Sequence, residues 1–279
     1  MRDINNSDDA VVGVVVTVLL IGLAIAITVM INNVYVPQWL EESEAAHMEQ
    51  VASQFAQLKY AIDLQTLVRE RGSAVSASIT LGTKDLPILG VGKTFGTLEI
   101  KEEQCVITVE NSTHSWNYTV GQIMFSSGNS YFVRQQYIYE SGALILSQPS
   151  EGNMLIGKPL FQADYDKVYF TVINVTTSES KSSIGGYGTY PIHVEFVDSD
   201  YIHDIRDVER IRVITSYPNA WAAAFKNTLK RTDNPYDESI VRVEGNKVVV
   251  DFLSSGVSNR LLDLKYVEVY AQVAPGWVE

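Results

Sequence analysis

The sequence has little of several features that define large protein classes. It has a single cysteine, Cys105, in 279 residues, which excludes a disulfide-stapled fold and a cysteine-based zinc or iron–sulfur site. Cys105 lies in the apolar segment CVITV and is predicted to be a small buried side chain of a strand. The 21 basic residues are outnumbered by 33 acidic ones, for a formal charge of −12. Because phosphate contacts need clustered basic side chains, we expect no nucleic acid among the partners.

Patterns of catalytic or ligand-binding residues are also scarce. The four histidines form no His-x-x-x-His pair, and Gly90-Val-Gly-Lys-Thr94 lacks the first glycine of a P-loop, where Pro87 stands instead. Residues 198–204 (DSDYIHD) could offer oxygen ligands to calcium. They lack the glycine and bidentate glutamate of an EF-hand, so a solvated acidic loop is the favoured interpretation. The sequence therefore predicts no catalytic residue, no cofactor, no metal site and a protein that is not an enzyme.

One long apolar run is present near the start of the sequence. Residues 10–31 (AVVGVVVTVLLIGLAIAITVMI) contain no charged side chain, and as a helix they would rise about 33 Å, enough to cross a hydrocarbon core. After a short N-terminal region, 1–9, we therefore expect a transmembrane or assembly helix over 10–33. The run is too long for a signal peptide and no Ala-x-Ala site follows it, so we expect the helix to be retained.

The flanks of this helix and the sequons beyond it predict its orientation. Arg2 precedes the span, whereas the first basic residue after it is Lys59, behind several glutamates. This bias favours an N-terminus inside the cell and about 250 residues outside. Asn111, Asn117 and Asn174 each begin an Asn-x-Ser/Thr sequon, so all three are glycosylation candidates on an exported surface.

A second helical pattern follows Pro37 and predicts an amphipathic stalk over 34–72, ending at Gly72. With only Pro37 between the two patterns, they are expected to form one rod of about 60 residues. Apolar side chains recur along both halves at spacings of three and four, and they are the predicted helix assembly residues: Val14, Val18, Ile21, Ile25, Met48, Val51, Phe55, Leu58 and Ile62. The second half of this set could pack on a partner helix or, as we favour, on the protein's own β-domain.

The remaining residues, 73–279, read as a β-rich head outside the cell. Apolar or alternating runs rich in Val, Ile, Tyr and Thr predict strands. The predicted strands are 75–81, 97–110, 116–125, 131–138, 143–147, 167–175, 191–197, 209–216, 240–244, 247–253 and 264–273. One internal helix is expected from Pro218 to Arg231, and 182–190 is expected to be a flexible loop. The predicted class is α+β: a long N-terminal helix followed by a mostly antiparallel, sandwich-like head.

The N-terminal segment 9–15 (DAVVGVV), opening a long aliphatic helix, resembles the start of archaeal type IV pilin-like proteins. Further along, 81–83 (LGT), 86–90 (LPILG), 139–144 (YESGAL) and 147–148 (SQ) resemble an uncharacterised archaeal branch with the same architecture. The resemblance implies a cell-surface structural subunit whose helix first lies in the membrane and later packs with other pilin-like subunits in a filament. The alternative is a single-pass surface protein whose head binds a glycan, a protein or a surface.

Overall fold

The computed structural model describes residues 4–83, 94–149, 151–164, 167–230, 238–255 and 261–273. A long N-terminal helix leads into a mostly antiparallel β-rich head that contains one further helix, so the predicted α+β class is confirmed. The Gly90–Thr94 motif lies outside the described residues except for Thr94.

The N-terminal helix is continuous through Pro37. Helix α1 spans Ile4–Met30, a π-helical turn spans Ile31–Tyr35, and helix α2 spans Val36–Val68. Proline lacks an N–H, and its ring collides with the carbonyl four residues earlier in a regular helix. The wider turn, in which the Val36 N–H donates to the Ile31 carbonyl, lies directly before the proline and lets the helix continue.

Helix α2 ends four residues earlier than the expected boundary at Gly72. Arg69 adopts a left-handed conformation (φ 54°), and its N–H donates to the Gln65 carbonyl at 3.1 Å. Contacts from outside the helix stabilise this end, since the Lys265 Nζ donates to the Thr66 carbonyl and the Gln65 amide donates to the Ser73 carbonyl. A carbonyl at a helix C-terminus has no hydrogen-bond donor within the helix. A lysine ammonium group is a favourable donor to it.

The head contains fourteen strands within the described ranges. They are β1 (Val75–Thr80), β2 (Gly96–Asn111), β3 (Ser115–Ser127), β4 (Gln136–Glu140), β5 (Ala143–Gln148), β6 (Gly152–Gly157), β7 (Phe161–Ala163), β8 (Lys167–Thr176), β9 (Ser183–Gly186), β10 (Thr189–Arg206), β11 (Val208–Ile214), β12 (Val241–Glu244), β13 (Lys247–Asp251) and β14 (Leu261–Val273). Helix α3 spans Pro218–Leu229, close to the predicted 218–231.

These strands form two sheets. One has the order β1-β10-β14-β8-β7, and the other has the order β12-β13-β11-β2-β3-β4-β5-β6, with β9 paired to the start of β2. Strands β14 and β8 run parallel, and the other described pairs are antiparallel.

The two sheets approach closely where β3 meets β8. A Cβ added to Gly121 would lie 2.2 Å from the Val175 carbonyl oxygen, so only glycine fits there. The Gly121 N–H also donates to the Asn174 side-chain oxygen at 3.0 Å, which joins the sheets by a hydrogen bond. The result is the sandwich-like packing expected from the sequence.

Each helix of the head covers its own core. The stalk-side core packs α2 onto both sheets and includes Phe55, Ile79, Phe125, Val175 and Val269. The distal core packs α3 against both sheets and includes Cys105, Phe170, Trp221, Phe225 and Val250. Cys105 is 1% exposed, in agreement with its predicted burial in a strand.

Two predictions about the segment 182–206 are wrong. The expected flexible loop 182–190 contains strand β9 and the beginning of β10, and the expected acidic loop 198–204 lies inside β10. Strand β10 extends this far because β14 pairs with it as far as Arg206, with irregular register after Phe196 and after Ile202. Strands β6 and β7 were not predicted, and the strand expected from residue 131 begins at Gln136.

Candidate functional site

The N-terminal half of the long helix projects from the head. Every side chain from Val11 to Tyr35, which we call the projecting helix, is exposed. Among the described residues, one helix is long and apolar enough to cross a membrane, and this apolar stretch lies within it. From Val11 to Ile31 this surface is apolar all round, and such a surface is unfavourable in water.

The first four predicted assembly residues lie on one side of the projecting helix. Val14, Val18, Ile21 and Ile25 follow one another at spacings of four, three and four, which at 100° per residue places them within an arc of about 60°. Their side chains are between 55% and 64% exposed. This stripe is therefore available for contact with another helix.

The two threonines of the projecting helix have their hydroxyls satisfied within the helix. Thr17 donates to the Gly13 carbonyl and Thr28 to the Ala24 carbonyl, both at 2.8 Å. An unsatisfied hydroxyl in hydrocarbon is costly, and bonding to the carbonyl four residues earlier removes that cost. The polar atoms that interrupt the apolar run are thus compatible with lipid.

The second group of assembly candidates lies inside the head. The buried seam consists of Met48, Val51, Phe55, Leu58 and Ile62, each no more than 1% exposed. The Phe55 ring contacts those of Tyr137 and Phe125, with centroids 5.9 and 6.5 Å apart. The structure therefore places the seam against the protein's own β-domain, and its residues are not available to a second chain while the head keeps this fold.

A buried carboxylate fastens one loop of the head to α2. Glu44 is 2% exposed, and its oxygens accept from the backbone N–H groups of Ser130, Tyr131 and Phe132 at 3.1, 2.8 and 2.6 Å. A buried carboxylate needs several such donors to offset its lost hydration. We call residues 128–135 the base loop. Its position along the helix is set by Glu44.

Further polar contacts hold the edge strand β1 to α2. The Thr80 carbonyl lies 2.9 Å from His47 Nε2, and the Thr80 N–H donates to the Gln54 oxygen at 2.9 Å. At the other end of α2, burial and then the nearby Arg69 lower the pKa of Lys265 to about 8. Helix α2 is thus fixed at both ends as well as along its seam.

Open cavities border α2 and the turn after it, and two of them differ in volume and lining. The larger, about 750 Å³, is lined by Arg71, Glu195, Asp198, Glu268 and Tyr270 among others, and Arg71 contacts Asp198 at 3.1 Å. The smaller, about 500 Å³, is lined by His47, Gln50, Thr80 and Tyr187 among others. Within the described ranges, no three His, Cys, Asp or Glu side chains are grouped to hold a metal ion.

The three sequons differ in how their asparagines are used. Asn117 is exposed on β3, and its side-chain oxygen accepts from the Thr108 hydroxyl at 2.8 Å. The Asn111 oxygen closes a local turn and its amide donates to Arg206. Asn174 accepts from Gly121 and donates to the Tyr266 hydroxyl between the sheets. Glycosylation at Asn174 would disrupt this bridge, which leaves Asn117 as the best-placed acceptor.

The acidic residues near 198–204 form ion pairs along the sheet. Lys167 lies 2.7 Å from Asp204 and 2.8 Å from Asp263, and Tyr201 donates to Asp263 at 2.7 Å. Burial opposes ionisation of Asp263, but hydrogen bonds from the Asp204 N–H, Lys167 and Tyr201 lower its pKa overall. These contacts hold the irregular part of β10 to β14 and β8.

A second buried carboxylate lies in the distal core, and the sequence did not indicate it. Glu140 is fully buried, and its Oε1 accepts from Thr215 and from the Trp221 indole, each at 2.7 Å. Burial raises the pKa of Glu140 to about 7, partly opposed by hydrogen bonds from Thr215, Trp221 and Cys105. Its partners are 75 and 81 residues away, so no local pattern could have identified it.

Comparison with known proteins places the head in a family. A family of unknown function (DUF7289) matches residues 93–261, more than half of the chain. No curated protein and no solved structure matches the sequence. The chain belongs to this family, and the matched region runs from just before β2 to the start of β14, so it covers most of the head and leaves out the N-terminal helix.

Proposed function

We propose that this family member is a pilin-like structural subunit of the cell surface, held in the membrane by its projecting helix and assembled through it. The observation that carries the proposal is the contrast between two halves of one helix. From Val11 to Ile31 the helix is apolar and uncovered, whereas from Val36 its inner face is buried by the head.

This contrast suits a subunit that exchanges one apolar environment for another. Transfer of an apolar helix from water is favourable by a similar free energy whether the helix enters lipid or packs among other apolar helices. The stripe formed by Val14, Val18, Ile21 and Ile25 is the proposed contact between subunits. Because α2 is fixed to the head along its seam and at both ends, packing of the helices would set the spacing of the heads.

We further propose where the two ends of the chain lie and which partners they contact. The N-terminus lies inside the cell, the head lies outside, and the partners are the membrane and other pilin-like subunits. We propose no enzymatic activity, no cofactor and no nucleic-acid partner. The negative charge keeps the exposed heads soluble.

Cysteine cross-linking in cells tests the proposal. In a Cys105→Ala background, Val18→Cys and Ile25→Cys place thiols on the proposed stripe, while Val16→Cys and Leu23→Cys place them on the opposite side. Oxidation is expected to yield a ladder of cross-linked species from the stripe, found in both the membrane and the sheared extracellular fraction. Monomers from all four variants, confined to membranes, would contradict assembly.

A second candidate is a permanently anchored monomer whose head binds a glycan, a protein or a surface. The burial of the seam in the head favours it, because the seam is then closed to a second chain. The mature N-terminus provides a further distinction. An intact Met1 by mass spectrometry, together with absence from sheared filaments, would support the anchored monomer.

A further inference from the structure

A groove runs between α2 and β1, which is the edge strand of the smaller sheet. One part of it is the cavity of about 500 Å³ already described, whose lining begins at Ser43. The other part is a cavity of about 510 Å³ whose lining extends to Gln57 on the same helix. Ala46 and Gln50 line both cavities, so the two are continuous. From Ser43 to Gln57 the helix rises about 21 Å, so the groove is long and narrow.

The lining of this groove is almost without charge. Among the described residues that line it, Glu49 is the one with a formal charge, in a chain in which 19% of the residues are charged. His47 also lines it, but burial lowers the pKa of its ring from the usual 6.5, so the ring is neutral at neutral pH. Because binding sites match the charge of their ligands, this lining suits a neutral ligand.

The side chains along the groove carry amide and hydroxyl groups instead. Ser53, Gln57 and Ser78 are exposed there, and within the described ranges none of the three makes a side-chain hydrogen bond. A hydroxyl both donates and accepts, and a glutamine amide offers donors on its nitrogen and an acceptor on its oxygen. The groove therefore suits a ligand whose own groups also both donate and accept.

The edge of β1 adds backbone groups to this lining. The Leu81 N–H donates to the carbonyl of the residue before β10. Alternate residues of an antiparallel strand direct their N–H and C=O groups to opposite sides, so those of Thr80 and Ser78 point away from β10 and toward α2. The Thr80 groups are already bonded, its carbonyl by His47 and its N–H by Gln54. The Ser78 groups lie beside the open part of the groove.

An aromatic side chain lines the other end of the groove. Tyr187 is 48% exposed, and its ring meets that of Phe95 at 83° with centroids 5.9 Å apart. This contact orients the Tyr187 ring while about half of the side chain stays exposed. An aromatic ring presents an apolar face, against which the C–H groups of a sugar ring can pack.

We infer that the groove between α2 and β1 binds a neutral oligosaccharide, whose hydroxyls bond to the polar groups around Ser78 and one of whose rings packs on Tyr187. A chain of sugar rings is neutral, is long and narrow, and carries hydroxyls that both donate and accept. The inference goes beyond the proposed assembly, because it concerns the head and holds whether the projecting helix ends in lipid or among other helices.

An extended peptide is the other class of ligand that uses an open strand edge. Such a peptide pairs with successive alternate residues of the edge strand. On β1 the next such residue after Ser78 is Thr80, and its backbone groups are occupied by His47 and Gln54. The edge is therefore too short for a peptide strand along the groove, which favours the oligosaccharide.

Binding of the full chain to an oligosaccharide array tests this inference. The protein is kept in micelles of a detergent without a sugar headgroup, so that the detergent does not compete. The neutral probes are oligomers of glucose, mannose, galactose and N-acetylglucosamine. The comparison probes are oligomers of uronic acids and an uncharged peptide of alternating serine and threonine. We expect at least one neutral series to bind several-fold more tightly than every comparison probe.

The array results that would overturn the inference are distinct. They are the absence of binding to every neutral series, or binding of the acidic oligomers or the peptide as tight as that of the best neutral series. Preference for the peptide would assign the groove to a protein strand. None of these results bears on assembly of the projecting helix, which the cross-linking experiment measures separately.

Two pairs of variants locate the binding. Gln50→Trp places a bulky ring where the two cavities meet, whereas Ala56→Trp places it at an exposed position of α2 that lines neither cavity. Tyr187→Ala removes the aromatic face, and its control, Tyr131→Ala, changes a tyrosine outside the groove that is 47% exposed. The groove variants should weaken binding about tenfold and the controls less than about twofold. Binding that survives both groove variants, or that falls equally in the controls, would overturn the inference.

Discussion

Replacing Glu140 with glutamine should change how the stability of the head depends on pH. In the folded head the pKa of Glu140 is about 7, raised from 4.5 by burial. Below pH 4.5 the group is protonated in both states. Between 4.5 and 7 the unfolded chain loses the proton while the folded chain keeps it, so the free energy of unfolding falls. Above 7 the loss levels off at about 3 kcal/mol.

The Glu140→Gln variant removes the ionisation and keeps an oxygen that can accept from Thr215 and Trp221. Its free energy of unfolding relative to the wild type should therefore rise by about 3 kcal/mol between pH 4.5 and pH 8. Chemical denaturation of the full chain in detergent micelles, followed by near-ultraviolet circular dichroism, measures this difference. Glu103→Gln, on an exposed residue of β2, is the matched control.

The outcome that would refute this reasoning is specific. If Glu140→Gln and the wild type differ by the same amount at pH 4.5 and pH 8, Glu140 loses its proton over the same range in the folded head as in the unfolded chain, so burial does not raise its pKa. A variant that becomes less stable than the wild type as pH rises would mean that the buried carboxylate is ionised and stabilised by its donors.

Four other substitutions have clear expected outcomes. Gly121→Ala should lower the free energy of unfolding by about 2 kcal/mol or more, because its Cβ would meet the Val175 carbonyl. Phe55→Ala should cost about 3–5 kcal/mol through a cavity in the stalk-side core. Both losses in the free energy of unfolding are measured by chemical denaturation in micelles. In the native host, Asn117→Gln should remove the mass of one glycan, whereas Asn174→Gln should leave the mass of attached glycan unchanged. Unglycosylated Asn117 would contradict the last prediction.

The elements best predicted from the sequence are those with a strong local period. The seam from Met48 to Ile62 is buried along its length, because a spacing of three and four aligns its side chains on one helix face. The same spacing was sufficient to predict the helical stalk. The strand Lys247–Asp251 likewise follows from three consecutive valines between turn residues. In these segments the local preference and the tertiary environment agree.

The strands that the sequence did not predict lack a regular spacing of apolar residues. Residues 198–204 have few apolar side chains, and they form a strand only because β14 pairs with them. Ser183–Gly186 contains two glycines and pairs with the start of β2. Both segments are stabilised by backbone hydrogen bonds to distant strands, and such pairing cannot be predicted from the local amino-acid composition.

The two buried carboxylates could not be predicted from the sequence for a related reason. Glu44 and Glu140 look like any other glutamate in the sequence, and their donors are 75 to 88 residues away. Their burial becomes visible only when the fold brings those donors together.

The strand order of the smaller sheet has a consequence for the order in which the chain can fold. Strand β14 lies between β10 and β8, so this sheet cannot close until residues 261–273 have been synthesised. The seam of α2, which packs on that sheet, emerges about 200 residues earlier and remains uncovered meanwhile. Contacts between such distant segments form slowly. During synthesis, the half-made chain therefore exposes the apolar face of α2, which a chaperone must shield from aggregation.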